Sequence, residues 1–410
     1  MVNYITRLVI AFVLIFLLQL YFYKKNIRAY KFIFNKHRAR TLSIVLYIFF
    51  IYVNLYILVV FSFYIYSTYK TSYSFQIPEN FYFAFFFTYP FWGAFILFVQ
   101  SALFYIIIDL VLYVIKFFKI DRKKVLLVKH YLVFATTIFF VFYVPIRIIH
   151  DHNVVKVRKV EYAKKDLPPS LNNFKITFIS DIQADYYNSE NRLTQFINET
   201  NKTNPDIILI AGDLITGGPD YIQTSARYVG KLKAKLGVYT CIGDHDNWAY
   251  KIDYRRSLKE VKDAMTKVGV KMIDDSSMTI DENGNQIGIS FITNTYVEKI
   301  EEGRPQEIEK QINNDAFKIM LVHQPREYLI KEAQRLGYDL FLAGHTHGGQ
   351  ITFFFPFLNL SPTLIETKYV RGDFKFGNML AIVTRGWGMS LAPIRYNSTP
   401  EIVEVVLKRK

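Results

Sequence analysis

The chain has 410 residues, too many for one ordinary domain, and 17% of them are aromatic, a high share for a soluble protein. Its formal charge of +15 points to a nucleic-acid partner until it is divided along the chain: residues 1–159 hold 19 Lys and Arg against 4 Asp and Glu, and residues 160–410 hold 31 of each. The basic excess therefore sits wholly in a hydrophobic N-terminal part. A nucleic-acid role loses its main support, and no such partner is expected.

A membrane-spanning helix needs about 20 mostly apolar residues. Four segments qualify, 4–23, 42–66, 91–117 and 131–149, so residues 1–150 read as a multi-pass membrane region. The apolar stretch 81–118 is long enough for its first third to read as re-entrant or interfacial. No small-residue cleavage site follows the first segment, which is therefore not read as a cleavable leader. Lys24, Lys25, Arg28, Lys31, Lys36, Arg38 and Arg40 follow the first span. Lys116, Lys119, Arg122, Lys123, Lys124 and Lys129 lie between the third and fourth, and only Lys70 and Glu79 between the second and third. The positive-inside rule places both basic stretches in the cytoplasm and both chain ends outside, with the protein in the inner (cell) membrane and its C-terminal half extracytoplasmic. The basic residues from Arg147 to Lys165 pull the other way. Asp109, a carboxyl inside a span, has two readings: a structural pairing with another helix, or a functional group.

Residues 151–173 read as a linker, in which alternation over 155–160 suggests a short strand and Pro168-Pro169 a stiff turn. From 174 to 410 strands alternate with helical segments. Strands are expected at 175–179, 207–211, 238–242, 317–322 and 340–343, then at 349–355, 379–384 and 402–407; helices are expected near 189–203, 221–236, 253–268 and 326–336. Asp281-Glu282-Asn283-Gly284 between β-rich segments is a hairpin signal. This is an α/β pattern with two sheets, large enough to bury its own core. Cys241, the one cysteine, lies in an apolar run and reads as core.

Five expected strands each deliver polar ligand-type residues at their carboxyl ends, where open α/β sheets place their ligands. They are Ser180-Asp181-Ile182-Gln183, Gly212-Asp213, Gly243-Asp244-His245-Asp246, His323-Gln324-Pro325 and Gly344-His345-Thr346-His347-Gly348-Gly349-Gln350. One Asp after a strand is usually a cap or turn residue, and a lone His-x-His is usually two exposed loop histidines. Here His245, His323, His345 and His347 are all the histidines beyond residue 159, and every one lies in these endings. Carboxylate and imidazole ligands in such a set suit Mn, Fe or Zn. Two divalent ions about 3.5–4 Å apart are a general solution for attack on a phosphoester anion.

The ordered endings resemble the calcineurin-like metallophosphoesterases, whose usual pattern is D-x-H, G-D, G-N-H-[DE], H and G-H-x-H. Thr384-Arg385-Gly386-Trp387-Gly388, Pro393-Ile394-Arg395 and Pro400-Glu401-Ile402 resemble the bacterial membrane-associated branch, which includes UDP-diacylglucosamine pyrophosphatases. The resemblance covers about 172 to 407 and implies a two-sheet αββα sandwich. It implies that Asp181, Gln183, Asp213 and His347 hold one ion and Asp213, Asp244, His323 and His345 the other, with Asp213 bridging. His245 would face the substrate as an acid or charge stabiliser, oriented by Asp246. Two positions depart from the pattern: Gln183 stands where His is usual and Asp244 where Asn is usual. Gln183 is similar to the D-I-Q motif of the manganese-dependent ADP-ribose/CDP-alcohol diphosphatases, and an oxygen-rich set favours Mn2+ over Zn or Fe. Two function classes stand: a membrane-anchored dimetal phosphodiesterase or pyrophosphatase acting on a lipid-linked or envelope substrate, and a catalytically weakened phosphate-binding sensor or scaffold.

Four further features have both a functional and a structural reading. Asp185 is a candidate extra ligand or a solvated loop residue. Arg385 and Arg395 are candidate phosphate contacts. The aromatic run Thr352 to Phe357, with Trp387, reads either as a site rim in lipid headgroups or as core.

Overall fold

A computed structural model describes residues 2–69, 79–115, 117–118, 120–250 and 252–410. Lys70, Lys116 and Lys119, used above for orientation, lie outside the described residues. The chain divides into two compact units, one of residues 1–149 with 353–360, the other of 150–352 with 361–410.

The first unit is built on α1 (Val2–Ile33), α2 (Lys36–Tyr69), α3 (Phe81–Phe83), α4 (Tyr89–Ile115) and α5 (Arg122–Asn153), with a π-helical turn at Ala84–Thr88 joining α3 to α4. Four helices, the third running unbroken over Phe81–Ile115, are long and apolar enough to cross a membrane. The expected re-entrant first third is thus helix, with one wide turn in place of a reversal. Each helix also outruns its expected span. Lys24, Lys25, Arg28 and Lys31 lie in α1, and Lys36, Arg38 and Arg40 in α2, rather than in a loop. Lys and Arg are good helix formers whose long stems carry the charge out to the polar boundary, so the helix need not end where they begin.

Phe22, Val53, Phe98, Tyr105 and Val133 form the interior of this unit, while Leu14, Ile48, Ile51, Leu110 and Phe142 face outward. An exterior so apolar is suited to lipid. A polar network ties α1, α4 and α5: Asn26 Nδ2 donates to Tyr105 Oη (3.0 Å) and Thr137 Oγ1 to Asn26 Oδ1 (2.6 Å). Asp109 has the structural role, because Lys25 of α1 and Lys129 of α5 both pair with it.

In the second unit two six-stranded sheets pack face to face. In chain order, the first comprises β1 (Lys156–Lys164), β2 (Lys175–Ile179), β3 (Ile207–Ile210), β4 (Val238–Thr240), β5 (Val270–Met272) and, last in the chain, β14 (Glu401–Arg409). Their spatial order is β1-β14-β2-β3-β4-β5. The second comprises β6 (Ser276–Glu282), β7 (Asn285–Ile292), β8 (Phe317–Val322), β9 (Leu340–Ala343), β12 (Gly372–Phe376) and β13 (Met379–Val383), in the order β12-β13-β9-β8-β7-β6. The core strands are parallel and buried on both faces, hence the unbroken apolar runs Ile207–Ile210 and Leu340–Ala343. Phe178, Leu209, Phe291, Ile319, Leu342 and Val405 fill the space between the sheets.

Helices α6 (Glu190–Lys202), α7 (Asp220–Val229) and α8 (Tyr254–Lys267) cover the first sheet through Phe196, Ile222 and Val261. Helices α9 (Arg304–Glu309) and α10 (Glu327–Arg335) cover the second through Ile308, Leu329 and Ile330. The result is the expected αββα order. The β6–β7 hairpin turns at Asn283-Gly284 as its sequence signals, and Cys241 is buried core.

One expectation needs correction and one segment gains detail. Residues 151–173, read as a linker with a short strand, carry that strand as β1. Asp151 is buried and accepts from Ser398 N (3.2 Å) and Thr399 Oγ1 (2.6 Å), and β1 pairs in parallel with β14 from Lys156↔Glu401 to Lys164↔Arg409. The alternation seen at 155–160 is that of an edge strand with one buried side, Val160 and Tyr162. The expected strand 349–355 shrinks to β10 (Phe353–Phe355), which pairs with β11 (Leu358–Leu360) in a separate ribbon grouped with the helices. There the Gln100 side chain bonds both the carbonyl (2.6 Å) and the N–H (2.9 Å) of Phe354.

Candidate metal centre

The sequence places a ligand-type residue just past each of β2, β3, β4, β8 and β9, and the fold brings these ends together between the sheets. The turns are tight. Asp181, Gln183, Asp213, His345 and His347 all have left-handed backbones (φ 54°, 45°, 56°, 68° and 50°). Such conformations cost about 1–3 kcal/mol each and persist where the surroundings impose them. Here Asp181 N donates to Gly212 O (3.1 Å), Gln183 N to Asp213 O (2.9 Å) and His345 N to the Asp181 carboxylate (3.1 and 3.2 Å). Close approach explains two glycines: a Cβ on Gly344 would lie 1.8 Å from Ser180 Oγ, and one on Gly243 2.1 Å from Asp213 N.

Two overlapping groups of ligand atoms result, Asp181 with Asp213 and His323, and Asp244 with His323 and His345, each lying within 4.8 Å. His323 Nε2 sits between Asp213 Oδ2 (3.4 Å) and Asp244 Oδ2 (3.3 Å). His345 Nδ1 lies 2.9 Å from Asp244 Oδ2, and His347 Nε2 3.5 Å from Asp181 Oδ1. Gln183 Nε2 reaches Asp213 Oδ2 (3.3 Å). All seven expected ligand residues therefore meet, His345 on one side and His347 on the other.

The donors fit divalent ions. Gln183 Oε1 and His323 Nε2 are buried with no hydrogen-bond partner, the state expected of atoms that ligate. His323 Nδ1–H donates to Ala211 O (2.7 Å), which orients the ring with Nε2 toward the carboxylates. Burial opposes charge on His323, yet Asp213 and Asp244 hold it well above the usual imidazole range. Burial likewise lowers His345, but hydrogen bonds to Asp244 and Glu366 outweigh it and raise the ring to about 9. A rim that draws protons onto imidazoles draws dications too, and a dication displaces those protons. His347 differs: burial, with the Arg395 cation beside it, lowers it to about 4, so the ring is neutral near pH 7.

His245, half-buried at the rim, has its Nδ1–H on Thr216 O and Nε2 beside Ser390 Oγ (3.2 Å), with Trp248 edge-on at 4.8 Å. The expected orienter, Asp246, does not touch the ring. Its carboxylate accepts from the backbone N–H groups of Gly243 (2.8 Å), Leu214 (2.8 Å) and Asp213 (3.1 Å). One position past His245 in a 3-10 turn (His245–Asn247), it points back under the β3 end and braces the Asp213 loop instead.

Other expectations also change. Arg395 is fully buried and donates to the carbonyls of Gly388 (2.6 and 2.9 Å), His347 (3.1 Å), Ser398 (3.1 Å) and Arg385 (2.9 Å), so it is a latch for the His347 loop. Arg385 lies 3.6 Å from Glu401. Trp387 is buried and stacks on Phe196 at 4.7 Å, so it belongs to the core and not to a rim. Asp185 accepts from Asn188 N (2.7 Å) and Thr216 Oγ1 (2.9 Å), shaping the loop that follows Gln183.

Five residues that sequence reasoning did not single out support the site. Gln324 Nε2 donates to both Asp244 oxygens (2.8 and 3.0 Å), and Tyr296 N donates to Oδ1 (2.6 Å). Glu366 lies 3.1 Å from His345 Nε2 and accepts from Tyr296 Oη (2.7 Å). Ser390 N donates to Gln350 Oε1 (2.8 Å). Gln324 and Gln350 lie inside the quoted motifs, so position could have found them. Glu366, Ser390 and Tyr296 come from irregular loops that carry no periodic or motif signal.

Residues 174–349 match the family described as calcineurin-like phosphoesterase. A Danio rerio protein named "Transmembrane protein with metallophosphoesterase domain" is 27% identical over 262 residues, 62% of this chain and 57% of that protein. An uncharacterized metallophosphoesterase of Campylobacter jejuni is 26% identical over 264 residues, 63% of this chain and 66% of that protein. The match thus spans less than two thirds of each of these two curated relatives. The Bacillus subtilis metallophosphoesterase YkuE is 29% identical over 248 residues, 59% of this chain and 82% of that protein. Among solved structures, the phosphopantetheinyl hydrolase PptH of Mycobacterium tuberculosis is 12% identical, covering 55% of this chain and 96% of that one, with a TM-score of 0.35.

Proposed function

For a chain that carries a calcineurin-like metallophosphoesterase domain behind four apolar, span-length helices, we propose a membrane-anchored dimetal phosphoesterase that hydrolyses phosphodiester or pyrophosphate bonds. The supporting observation is the pair of overlapping ligand groups, with the Gln183 Oε1 acceptor unpartnered between them and His323 Nε2 facing both Asp213 and Asp244. Asp181, Gln183, Asp213 and His347 would hold one ion, and Asp213, Asp244, His323 and His345 the other, with Asp213 bridging. When bound, the two ions supply Lewis acidity and a nucleophilic water at neutral pH.

The chain's own groups do the rest. Glu366 beside His345 Nε2 leaves Nδ1 to face the ions. Thr216 O holds the Nδ1 proton of His245, so Nε2 is the atom that gives a proton to the leaving oxygen or offsets charge in the transition state. Three carboxylates and an amide oxygen favour Mn2+, with Fe and Zn as the weaker candidates. A lipid-linked or envelope substrate suits a domain tethered by spans, because tethering raises its concentration at the bilayer.

Turnover of bis-p-nitrophenyl phosphate by the purified full chain tests the reading. Hydrolysis should require added Mn2+ and fall by roughly a thousandfold in Asp213→Ala and His345→Ala. No metal-dependent turnover, or turnover unaffected by both changes, would leave the phosphate-binding sensor as the better account.

A further inference from the structure

The basic end of the helical unit holds a cavity of about 500 Å³ between α1 and α5. Lys25, Arg28 and Lys31 line it from α1, and Lys129 and His130 from α5. Asp109 is held by both Lys25 and Lys129, so one carboxylate answers two ammonium groups. Arg28 and Lys31 have no carboxylate partner among the described residues. Four permanent cations against one anion leave a net charge of +3 around the cavity, before His130 is counted.

The other lining is apolar. Phe32 and Leu126 are about half exposed, and Phe32 packs on the His130 ring at 4.6 Å. Val133 closes the floor, fully buried. The Asn26–Tyr105–Thr137 network holds the two helices below the cavity, so the wall is built and does not depend on a chance approach of side chains.

We infer that this cavity is a binding site for the phosphate-bearing headgroup of an anionic membrane lipid. Four cations at the polar end of spans, with the apolar side chains of Phe32 and Leu126 in the same lining, match a ligand that joins a phosphate to apolar chains. A free phosphate ion would use the cations and gain nothing from Phe32 and Leu126. Arg28 supplies the planar, two-pronged donor suited to a phosphate, and Lys31 the second charge.

The test uses the full chain in a non-ionic detergent, offered phosphatidylglycerol or phosphatidylcholine, with bound lipid counted by native mass spectrometry. Phosphatidylglycerol should be retained in preference to phosphatidylcholine. The double change Arg28→Gln/Lys31→Gln should lower its affinity roughly thirtyfold. The control Lys123→Gln/Lys124→Gln, made at exposed positions of α5 that do not line the cavity, should change it little. Both variants should keep the parent's thermal transition. Millimolar inorganic phosphate should not displace the lipid. Equal retention of the two lipids, equal losses in the two double variants, or displacement by phosphate, which would make the cavity a site for soluble anions, would each overturn the inference.

Discussion

Gln183 and Asp244 are the two residues at which the chain departs from the pattern it resembles, and the structure gives each a physical setting. Burial opposes charge on Asp244, but the His323 and His345 imidazoles beside it hold its carboxyl well below the usual range, and Gln324 donates to both its oxygens and Tyr296 N to one. An Asn there would meet the Gln324 amide donor with an amide donor of its own. Gln183 keeps an acceptor oxygen inside the centre, buried and unpartnered. The weaker Gln183 donor is set against the negative charge that Asp244 adds as a third carboxylate. The ring of His345 sets a pH dependence. Its raised value of about 9, against an ordinary 6.5, means that the metal-free chain gains stability from the protonated ring below about 6.5 and loses it as pH rises through about 9. Metal binding has the opposite trend, because the ion must displace that proton. Mn2+ affinity, measured calorimetrically, should therefore rise from pH 6.5 to 9, roughly tenfold per pH unit for each proton released. A flat profile would remove His345 from the ligand set.

At the scale of elements, β1 shows how little of an edge strand a sequence displays. Its burial alternates over only a few residues, Arg158 and Lys164 share the face of Val160 and Tyr162, and the span region and Pro168-Pro169 flank it, so the sequence shows only a short strand within a linker. Yet it covers the β14 edge along nine paired positions and buries Val160 and Tyr162. A fragment beginning at residue 166 should lose roughly 3–5 kcal/mol relative to one beginning at 150, measured by urea unfolding. Equal stability would mean that β1 is dispensable. The parallel core strands were legible for the opposite reason: runs such as Ile207–Ile210, each ending in Asp or His, combine two independent signals. The convergence of the five strand ends was legible too, and the seven residues proposed as ligands stand out there because metal chemistry restricts residue type. The partners of His245 were not legible. Thr216 acts through its backbone carbonyl, which any residue could supply, and the orienting role of Asp246 came from the family resemblance, whereas its carboxylate bonds backbone N–H groups.

For the whole molecule, apolar helices and a charge-balanced domain divide one chain between two solvents. By the positive-inside rule we propose that the basic ends of α1, α2 and α5 face the cytoplasm and the C-terminal domain lies outside. A reporter fused after Lys410 should be active only when extracytoplasmic; cytoplasmic activity would reverse the orientation and favour a nucleotide-linked precursor as substrate. Either result leaves the centre itself untouched, because its ligands come from one unit. That centre is the core of the account, and the most direct test is to load the metal-free full chain with Mn2+, measure bound metal, and record its electron paramagnetic resonance spectrum. Two ions per chain with the exchange-coupled signal of a close pair are expected, collapsing to an uncoupled signal in Gln183→Ala and Asp213→Ala. A single ion per chain, or a spectrum that neither change alters, would contradict this expectation.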